Sequence, residues 1–569
     1  MKRVLAIIFA MALLAPAVWQ ARAEETHRAL IIPLEFTDIQ LSIPAETIDS
    51  LGKELSRYYD SQFGGQKRFV FDVAPTYNVG GKYSVYGANT SYMRDALAYR
   101  MALAAYRALF TTIDFALYDN DADTFVNDII FLTPGMPESS GGGEDQFWPQ
   151  YTELEEKDIP YSLKYRLKGY AIVSEQNADG STAGIGLMAH EFGHILGLKD
   201  LYDTDAEDSG GLCPGLGITS LMDYGMNNDS GNTPPYLNAI EREMLGNGIC
   251  ETIDSAGIYN LEPIHLNGRY FKLPSTAQKE YYLLENRTAE GNDAHIGGQG
   301  MLIYKVNKSD SDAGYSSYFQ RTLTALERWN LNQVNSNPDY PCAGLIPAKI
   351  DSLDSSAIFW PKEGHTIFSP GRMALTNIRK DAGGNISFNA LEPVRIEKVS
   401  VFQTSAIITW STNQELGHVD SCKIEWSRAD EVIASANGRN DGNGKYSFII
   451  DGLKPRTNYS FVARAYYSDG ASFSASGSFT TKIYRSSIFR FIYMGNVDRH
   501  PDGTIVQGAS IPLVVYNSVD EEVVWTFNGR RISPGPNGLW SIPWDGVLKA
   551  EITTSDGSKD IIIKELHVK

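Results

Sequence analysis

The sequence predicts a multidomain protein: an N-terminal mixed α/β domain, a β-rich module, and two all-β sandwich domains at the end. The chain has 569 residues, too many for a single core, so three or four domains are expected. Strand-like apolar runs alternate with helical periodicity at first, whereas short strands ending at turns about every 8–12 residues dominate later. We place the domains at residues 24–260, 261–391, 392–482 and 483–569.

Residues 1–23 have the pattern of a secretory signal peptide. Lys2 and Arg3 precede an apolar run, and Ala21-Arg22-Ala23 resembles a cleavage site. The run is short for a membrane anchor and contains Pro16. We therefore expect a protein that is secreted or held at the cell surface, without a membrane span.

Net charge limits the partners of the chain. The formal net charge is −19, and removing residues 1–23 removes three basic residues and no acid, which gives −22. Such an acidic protein does not favour binding to nucleic acid or to anionic membranes, but it is compatible with calcium binding.

The four cysteines are too few for a disulfide framework. Cys213 and Cys250 are candidates for one pair, which the sequence leaves open.

The most informative stretch runs from His190 to Asp200, HEFGHILGLKD. Two histidines four residues apart on a helix lie on the same face, close enough to bind one metal ion. Glu191 follows the first histidine, where its carboxylate can reach a water on the metal rather than the metal itself. Because an HExxH string also arises by chance, a solvated helix face is the alternative reading.

Residues after the helix favour the metal site. Gly197 permits a left-handed turn that returns the chain toward the metal, so Asp200 is placed to supply a third ligand for Zn²⁺. This HExxHxxGxxD spacing fits the metzincin pattern. Further on, Met222 and Tyr224 resemble the Met-turn of that clan, in which a methionine lies beneath the metal and a tyrosine faces it.

Other acids remain as alternative third ligands. In a gluzincin the ligand comes from a later helix, where Glu241 or Glu243 could serve, and Asp203 is a further candidate. We prefer Asp200 because Gly197 and Met222 are explained only by the metzincin scheme.

The elements around this helix alternate in type. Apolar runs and alternation predict strands, and three- and four-residue spacing predicts helices. In chain order we expect a strand from residue 29, a helix at 45–60, a strand at 69–79, a helix at 92–113, strands at 127–133 and 169–176, and a closing helix at 234–246.

An acidic loop precedes the third of these strands. Alternating carboxylates suit calcium, a hard ion that collects oxygen ligands, but the pattern is not an EF-hand. A solvated acidic turn is the alternative, and the stretch Asp203, Asp205, Glu207, Asp208 is a weaker second candidate. The calcium ligands expected here are Asp119, Asp121, Asp123 and Asp128.

The remainder of the chain reads as β-structure. Residues 261–391 contain predicted strands at 280–287 and 301–307 and show no helical periodicity. At 392–482 the pattern Leu453-x-Pro455-x-Thr457-x-Tyr459 resembles the tyrosine-corner segment of fibronectin type III domains, with Trp410 and Trp426 as core aromatics. Residues 483–569 fit an Ig-like sandwich, a type of module that acts as a spacer, a sorting signal, or a contact to cell surfaces or glycans.

The chain resembles the immune inhibitor A family of secreted bacterial metalloproteases over residues 28–390. The most specific stretch is HEFGHILGLKDLYD at 190–203, supported by EYYLLENR at 280–287 and GGQGMLIYKV at 297–306. VNSNPDYP at 334–341, FWP at 147–149 and the acidic loop at 119–128 are similar too. The resemblance implies a zinc endopeptidase, often helped by calcium, that acts on extracellular proteins.

The resemblance also assigns roles residue by residue. It implies that His190, His194 and Asp200 bind zinc, that Glu191 is the general base, and that Met222 forms the Met-turn with Tyr224 facing the metal. Three features depart from the family: Lys199 replaces a proline, Gln150 replaces a histidine, and no long pro-domain precedes the first strand.

Two functions from different classes follow from these observations. The first is a secreted zinc-dependent endopeptidase in which Glu191 activates the zinc-bound water, with protein or peptide substrates. The alternative is a surface adhesin or carbohydrate-binding protein that carries an inactive protease domain.

Overall fold

The computed structural model describes residues 25–569 except 92, 312, 351–353, 430, 469, 483–489, 517, 519–521 and 554–558. The predicted signal peptide therefore lies outside the described residues. The chain forms two compact units, the second of which consists of residues 401–406, 450–458 and 479–569. Among the described residues, we find no helix that is both long enough and apolar enough to cross a bilayer.

A six-stranded sheet is the framework of the N-terminal part. Five strands are parallel, and the edge strand Gln150–Glu153 is antiparallel. Two central strands are buried along their whole length, which is why their sequences are continuously apolar. The spatial order is Lys67–Val73, Glu25–Glu35, Ile129–Thr133, Gly169–Ser174, Gln150–Glu153, and Tyr77–Asn78 also pairs with Glu25–Glu35.

Helices cover both faces of this sheet. Alternate residues of the first strand point to opposite sides: Ile31 packs with helix Ala45–Gln62, and Leu30 packs with helix Ala98–Leu109. The helix predicted at 45–60 is confirmed. The helix predicted at 92–113 is wrong at its N-terminal end, because Asp95 has a left-handed backbone (φ 49°) that a continuing helix cannot include.

Helix Gly186–Ile195, here called the histidine helix, packs on the same face as Ala45–Gln62. The hydroxyl of Tyr59 donates to the carbonyl of Ala189 over 2.6 Å. The Phe192 ring lies edge-on to Phe71, with centroids 4.7 Å apart, and is fully buried. Burying a side chain of this size contributes about 1.5–3 kcal/mol. The histidine helix is thus fixed to the sheet along one face.

After the histidine helix come the predicted closing helix and then residues 261–391, which are mainly β-structure, as predicted, but also contain short helices. The closing helix is Ala239–Leu245, shorter than predicted because its capping box begins at Asn238. A second capping box starts helix Ala325–Asn330. This helix was not predicted, because the sequence of residues 261–391 showed no helical periodicity. The strands form a five-stranded sheet, in the order Ala343–Leu345, Gly300–Asn307, Glu280–Arg287, Arg269–Pro274, Ile249–Thr252, and a three-stranded sheet of Gly257–Leu261, Ile386–Leu391 and Ala374–Lys380.

One hydrophobic core continues from the histidine helix into this β-rich region. The same buried cluster contains Phe192 and Met222 from the first part, and Leu302 and Trp329 from the second. The five-stranded sheet already includes Ile249–Thr252, so it begins before residue 261. The two regions therefore support each other as a single packed body.

Residues 394–480 form two four-stranded sheets. Trp410 and Tyr459 are buried, as expected for core aromatics. Trp426 is only half-buried and packs against Phe448, so its predicted place in the core is wrong. The strands are Val394–Val401, Ala406–Thr412, Lys445–Ile450 and Arg439–Gly442 in one sheet, and Glu431–Asn437, Val419–Arg428, Asn458–Tyr467 and Ser472–Thr480 in the other.

The C-terminal part is also β-structure. Its largest sheet buries Trp525, Leu548 and Ile552 in a separate core. The four strands of that sheet are Arg530–Arg531, Glu522–Phe527, Gly546–Thr553 and Lys559–Leu566, and shorter strands lie at Ile492–Tyr493, Ser510–Pro512, Val514–Val515 and Leu539–Ser541.

All four cysteines are free thiols, so the considered pair between Cys213 and Cys250 does not form. Cys213 is buried and Cys250 is exposed. The fold is therefore held by its cores and hydrogen bonds.

Candidate metal centre

The two histidines of the histidine helix face one point in space. Their ring centroids lie 4.9 Å apart. Nδ1 of His190 lies 3.0 Å from the carbonyl of Leu221, and Nδ1 of His194 lies 3.0 Å from the carbonyl of Leu198. Because a carbonyl can only accept, each ring donates from Nδ1 and keeps a lone pair on Nε2. Both Nε2 atoms are thus oriented as metal ligands, each held by a backbone contact.

Asp200 is brought to the same point by a tight turn. Gly197 follows the helix with φ 104°, a conformation that favours glycine. Leu198 then donates its N–H to the carbonyl of Gly193 over 2.9 Å, which reverses the chain. As a result, Oδ1 of Asp200 lies 3.2 Å from Nε2 of both His190 and His194.

The three ligand atoms fit a zinc ion. Ligands bound to tetrahedral zinc at about 2.0–2.1 Å lie about 3.3 Å from each other, close to the separations between Asp200 and the two imidazoles. Oδ1 of Asp200 is buried yet makes no hydrogen bond of good geometry. Two neutral imidazoles and a carboxylate are donors that zinc accepts. A cation between Oδ1 of Asp200 and the two Nε2 lone pairs would provide the partner that this buried oxygen lacks.

Electrostatics at this point also favour a cation. Burial opposes ionisation of Asp200, but the His194 and His190 imidazoles outweigh it and hold the pKa of Asp200 well below its usual range. Burial likewise opposes a charge on His190, yet Asp200 and Glu191 raise the pKa of His190 to about 9. Both shifts describe one attraction, between an ionised Asp200 carboxylate and protons on the two imidazoles, and a metal cation at the same point would take the place of those protons.

Glu191 stands beside the three ligand atoms and is not one of them. Its side chain is buried, and Oε2 has no hydrogen-bond partner. Burial raises the pKa of Glu191 above its usual value, although the charges of His190 and His194 partly offset that effect. A buried carboxylate with a free oxygen and a raised pKa is suited to take up and return a proton near neutral pH.

Met222 lies directly beneath the histidine helix. A Cβ atom at Gly193, between the two histidines, would stand only 2.8 Å from Sδ of Met222, so a larger residue there would displace the methionine side chain. The chain at Met222 is held by the buried Glu241, whose carboxylate accepts from the Met222 N–H at 2.9 Å and from the Ser220 hydroxyl at 2.6 Å. Glu241 was predicted only as an alternative metal ligand, and its role in anchoring Met222 was not predicted.

Replacing Glu241 by alanine should destabilise the protein by about 3–5 kcal/mol, as expected when one partner of a buried charged network is removed. The change leaves the Ser220 hydroxyl and the N–H groups of Met222 and Asn238 without their acceptor. Urea unfolding measures the effect. Glu207→Ala, at an exposed glutamate, is the matched control and should change stability by less than about 0.5 kcal/mol. Equal stabilities of the two variants would contradict the anchoring role.

Two tyrosines lie near the ligands. Tyr224, predicted to face the metal, is 60% exposed, and among the described residues we find no hydrogen bond to its hydroxyl. Tyr202 was not predicted: its ring stacks on His190 at 6.2 Å, and its hydroxyl interacts with Asp200. Burial, reinforced by the charges of Asp200 and Glu191, raises the pKa of Tyr202. In the sequence, Tyr202 is marked only by its position in the DLYD segment at residues 200–203, next to the proposed third ligand.

The site opens into a cleft on two sides of Glu191. One cavity of about 280 Å³ is lined by apolar groups that include Leu187 and Met226, with Tyr224 at its wall. The other, of about 350 Å³, is lined by Lys199 and Asn332. An extended chain passing Glu191 would therefore meet an apolar region on one side and a polar one on the other.

Trp148 belongs to the wall of both cavities. The guanidinium of Arg94 lies 3.8 Å from the centroid of its ring. The Asp95 carboxylate accepts hydrogen bonds from the backbone N–H of Trp148 at 3.0 Å and from Nε2 of Gln150 at 2.8 Å. Gln150, which replaces a histidine of the family pattern, thus helps to fix the cleft wall.

The acidic loop is only partly as predicted. Asp119, Asp121 and Asp123 come together, but their carboxylates accept from N–H groups of the same loop. Asp128 is not with them: it pairs with His27 at 2.6 Å and with Asn120 at 2.8 Å, so its assignment as a fourth calcium ligand is wrong. Calcium at the three remaining acids stays a prediction.

The alternative third ligands are engaged elsewhere. Glu243 pairs with Lys272 at 3.0 Å and also accepts from Tyr281. Asp203 accepts the N–H groups of Asp205 and Cys213. Within the described part of the chain, Asp200 is the acid grouped with the two histidines.

Comparison with known proteins gives two matching families. Residues 34–248 match the family described as immune inhibitor A peptidase M6, catalytic domain, and residues 392–482 match the fibronectin type III domain. The protein named immune inhibitor A from Bacillus thuringiensis subsp. alesti is 28% identical over 182 residues. That stretch covers 26% of this chain and 25% of the relative, so the chain spans a quarter of that protein's length.

Solved structures give only low overall similarity. The fibronectin type III domain derived from the human KIAA0970 protein is 15% identical, covering 17% of this chain and 77% of that one, with a TM-score of 0.13. The fibronectin(III)-like modules of Clostridium thermocellum CbhA are 14% identical, covering 31% and 94%, with a TM-score of 0.15. Neither similarity supports a conclusion about this chain. The family matches do: the chain contains an immune inhibitor A peptidase M6 catalytic domain and, after it, a fibronectin type III domain.

Proposed function

We propose that this protein is an exported zinc-dependent endopeptidase with a metzincin-like site, in which His190, His194 and Asp200 hold the metal. One observation carries the proposal: two Nε2 atoms and an unpartnered carboxylate oxygen converge, 3.2 Å from the carboxylate to each ring, next to a free oxygen of Glu191. The peptidase family match supports the same reaction class.

Zinc held by these residues would supply Lewis-acid chemistry, lowering the pKa of water toward about 7 and polarising the scissile carbonyl. The chain's own residues do the rest. Oε2 of Glu191, which has no other partner, takes the proton from the attacking water and returns it to the leaving amine nitrogen. Burial raises the pKa of Glu191, which favours the proton uptake that precedes the return step.

Tyr224 is our candidate for a hydrogen-bond donor to the developing oxyanion, because it lines the same cavity as Glu191. Met222 supports the histidine helix from below, as in the Met-turn. The open cleft on both sides of Glu191 suits an extended polypeptide, so we propose extracellular proteins as substrates. Contact of the C-terminal domains with cell surfaces or glycans stays a prediction.

Casein digestion tests the proposal. The purified protein should digest casein, lose this activity in a chelator, and regain it when zinc is added back. If the protein does not cleave casein or gelatin with zinc bound, the endopeptidase proposal is wrong and the adhesin alternative gains support.

A further inference from the structure

We propose that Asn332, which lies beyond the matched catalytic domain, is a positioning residue that fixes the third zinc ligand; the inference rests on the proposed zinc function. Nδ2 of Asn332 donates to Oδ2 of Asp200 over 2.6 Å, and its Oδ1 accepts the backbone N–H of Asp200 over 2.8 Å. One amide thus holds both the backbone and the carboxylate of Asp200. With Oδ2 occupied, Oδ1 is the oxygen left facing the two imidazoles.

The local fold holds Asn332 in place for this contact. Helix Ala325–Asn330 begins with a capping box of Thr324 and Glu327, and its Trp329 is buried and donates to the carbonyl of Asn307 over 2.8 Å. Just after the helix, Asn332 has φ 56°, a left-handed conformation that asparagine tolerates better than most residues. The amide is therefore presented by an anchored helix end.

Residues next to Asn332 bind the same loop. Nε2 of Gln333 donates to the Thr204 hydroxyl over 3.0 Å, and Nδ2 of Asn335 donates to the carbonyl of Leu201 over 2.7 Å. The segment 332–335 thus holds the loop 200–204 at three points. All three ligands lie within residues 34–248, and the β-rich region consequently supplies hydrogen bonds that hold the loop of the third one.

Loss of the Asn332 amide should weaken zinc binding. Without the donor on Oδ2, the Asp200 carboxylate can rotate away from the position between the rings. Removing a hydrogen-bond partner of a metal ligand typically lowers metal affinity about 10- to 100-fold. We expect an effect of that size, and we expect excess zinc to restore the lost peptidase activity.

Asn332→Gly in the full chain is the sharpest test, because glycine accepts φ 56° while alanine would add backbone strain. The measurement is the zinc dissociation constant, obtained by competition with a chromophoric chelator. Asn330→Ala, at an exposed asparagine two residues earlier, is the matched control. Gln333→Ala removes a contact to the same loop without touching Asp200. Asn330→Ala should bind zinc like the wild type, and Gln333→Ala should lose clearly less zinc affinity than Asn332→Gly.

Several outcomes would overturn the inference. Wild-type affinity in Asn332→Gly would do so, and so would an equal loss in Gln333→Ala, which would indicate general loosening of the loop. Circular dichroism of the metal-free proteins checks folding. If the glycine variant does not fold, Asn332→Asp carries the same expectation, because aspartate tolerates φ 56° and replaces the donor to Oδ2 of Asp200 by an acceptor. A wild-type protein that binds no zinc would instead overturn the proposed function itself.

Discussion

Glu191→Gln should lower kcat for peptide hydrolysis about 10³-fold while the protein retains its zinc. General acid–base catalysis contributes about 10²–10⁴-fold, and the structure offers Glu191 for both proton transfers. Glutamine has nearly the same shape but cannot take up a proton at this position. The three ligand atoms do not include Glu191, so metal binding should be unaffected.

Steady-state kinetics on a fluorogenic peptide, together with zinc content measured on the same sample, check this expectation. Glu207→Gln makes the same chemical change at an exposed position and should keep wild-type activity. A Glu191→Gln enzyme with wild-type kcat would exclude Glu191 as the base. Loss of zinc from that variant would instead indicate that Glu191 helps to hold the metal.

The core of the site was predictable because its chemistry is local in the sequence. His190, Glu191, His194, Gly197 and Asp200 lie within a single helix and turn, so their spacing alone defines which side chains meet. The strands at 280–287 and 301–307 were equally clear, because each contains four consecutive apolar or aromatic residues, YYLL at 281–284 and MLIY at 301–304.

The supporting residues were not predictable, because they come from distant parts of the chain. Asn332 is 132 positions from Asp200, and nothing in the spacing of an asparagine indicates which carboxylate it will contact. Glu241 reads as a helix residue, yet it holds the backbone of Met222. The error at Asp128 has the same origin: its partner His27 is 101 positions away, so no local pattern indicates the contact.

The second large effect is expected on zinc affinity when Asp200, the proposed third ligand, is replaced. Asp200→Ala should weaken zinc binding by more than about 100-fold, because hydrogen-bond partners of ligands alone are worth about 10–100-fold. Glu243→Ala and Asp203→Ala, which change the alternative ligands, should retain zinc. Chelator competition on the three proteins ranks them directly.

Asp200→Asn separates the charge of Asp200 from its geometry. Asparagine retains an oxygen that can point between the rings, but it removes the negative charge that, with Glu191, raises the pKa of His190 to about 9. If charge matters, this variant should bind zinc more weakly than the wild type and more tightly than Asp200→Ala. The same loss of charge should lower the pKa of His190 in the metal-free protein, which NMR titration of the imidazole can measure. Unchanged zinc affinity in both Asp200 variants would mean that the third ligand lies elsewhere, because a carboxylate 3.2 Å from two imidazoles cannot be removed without effect if it binds the same ion.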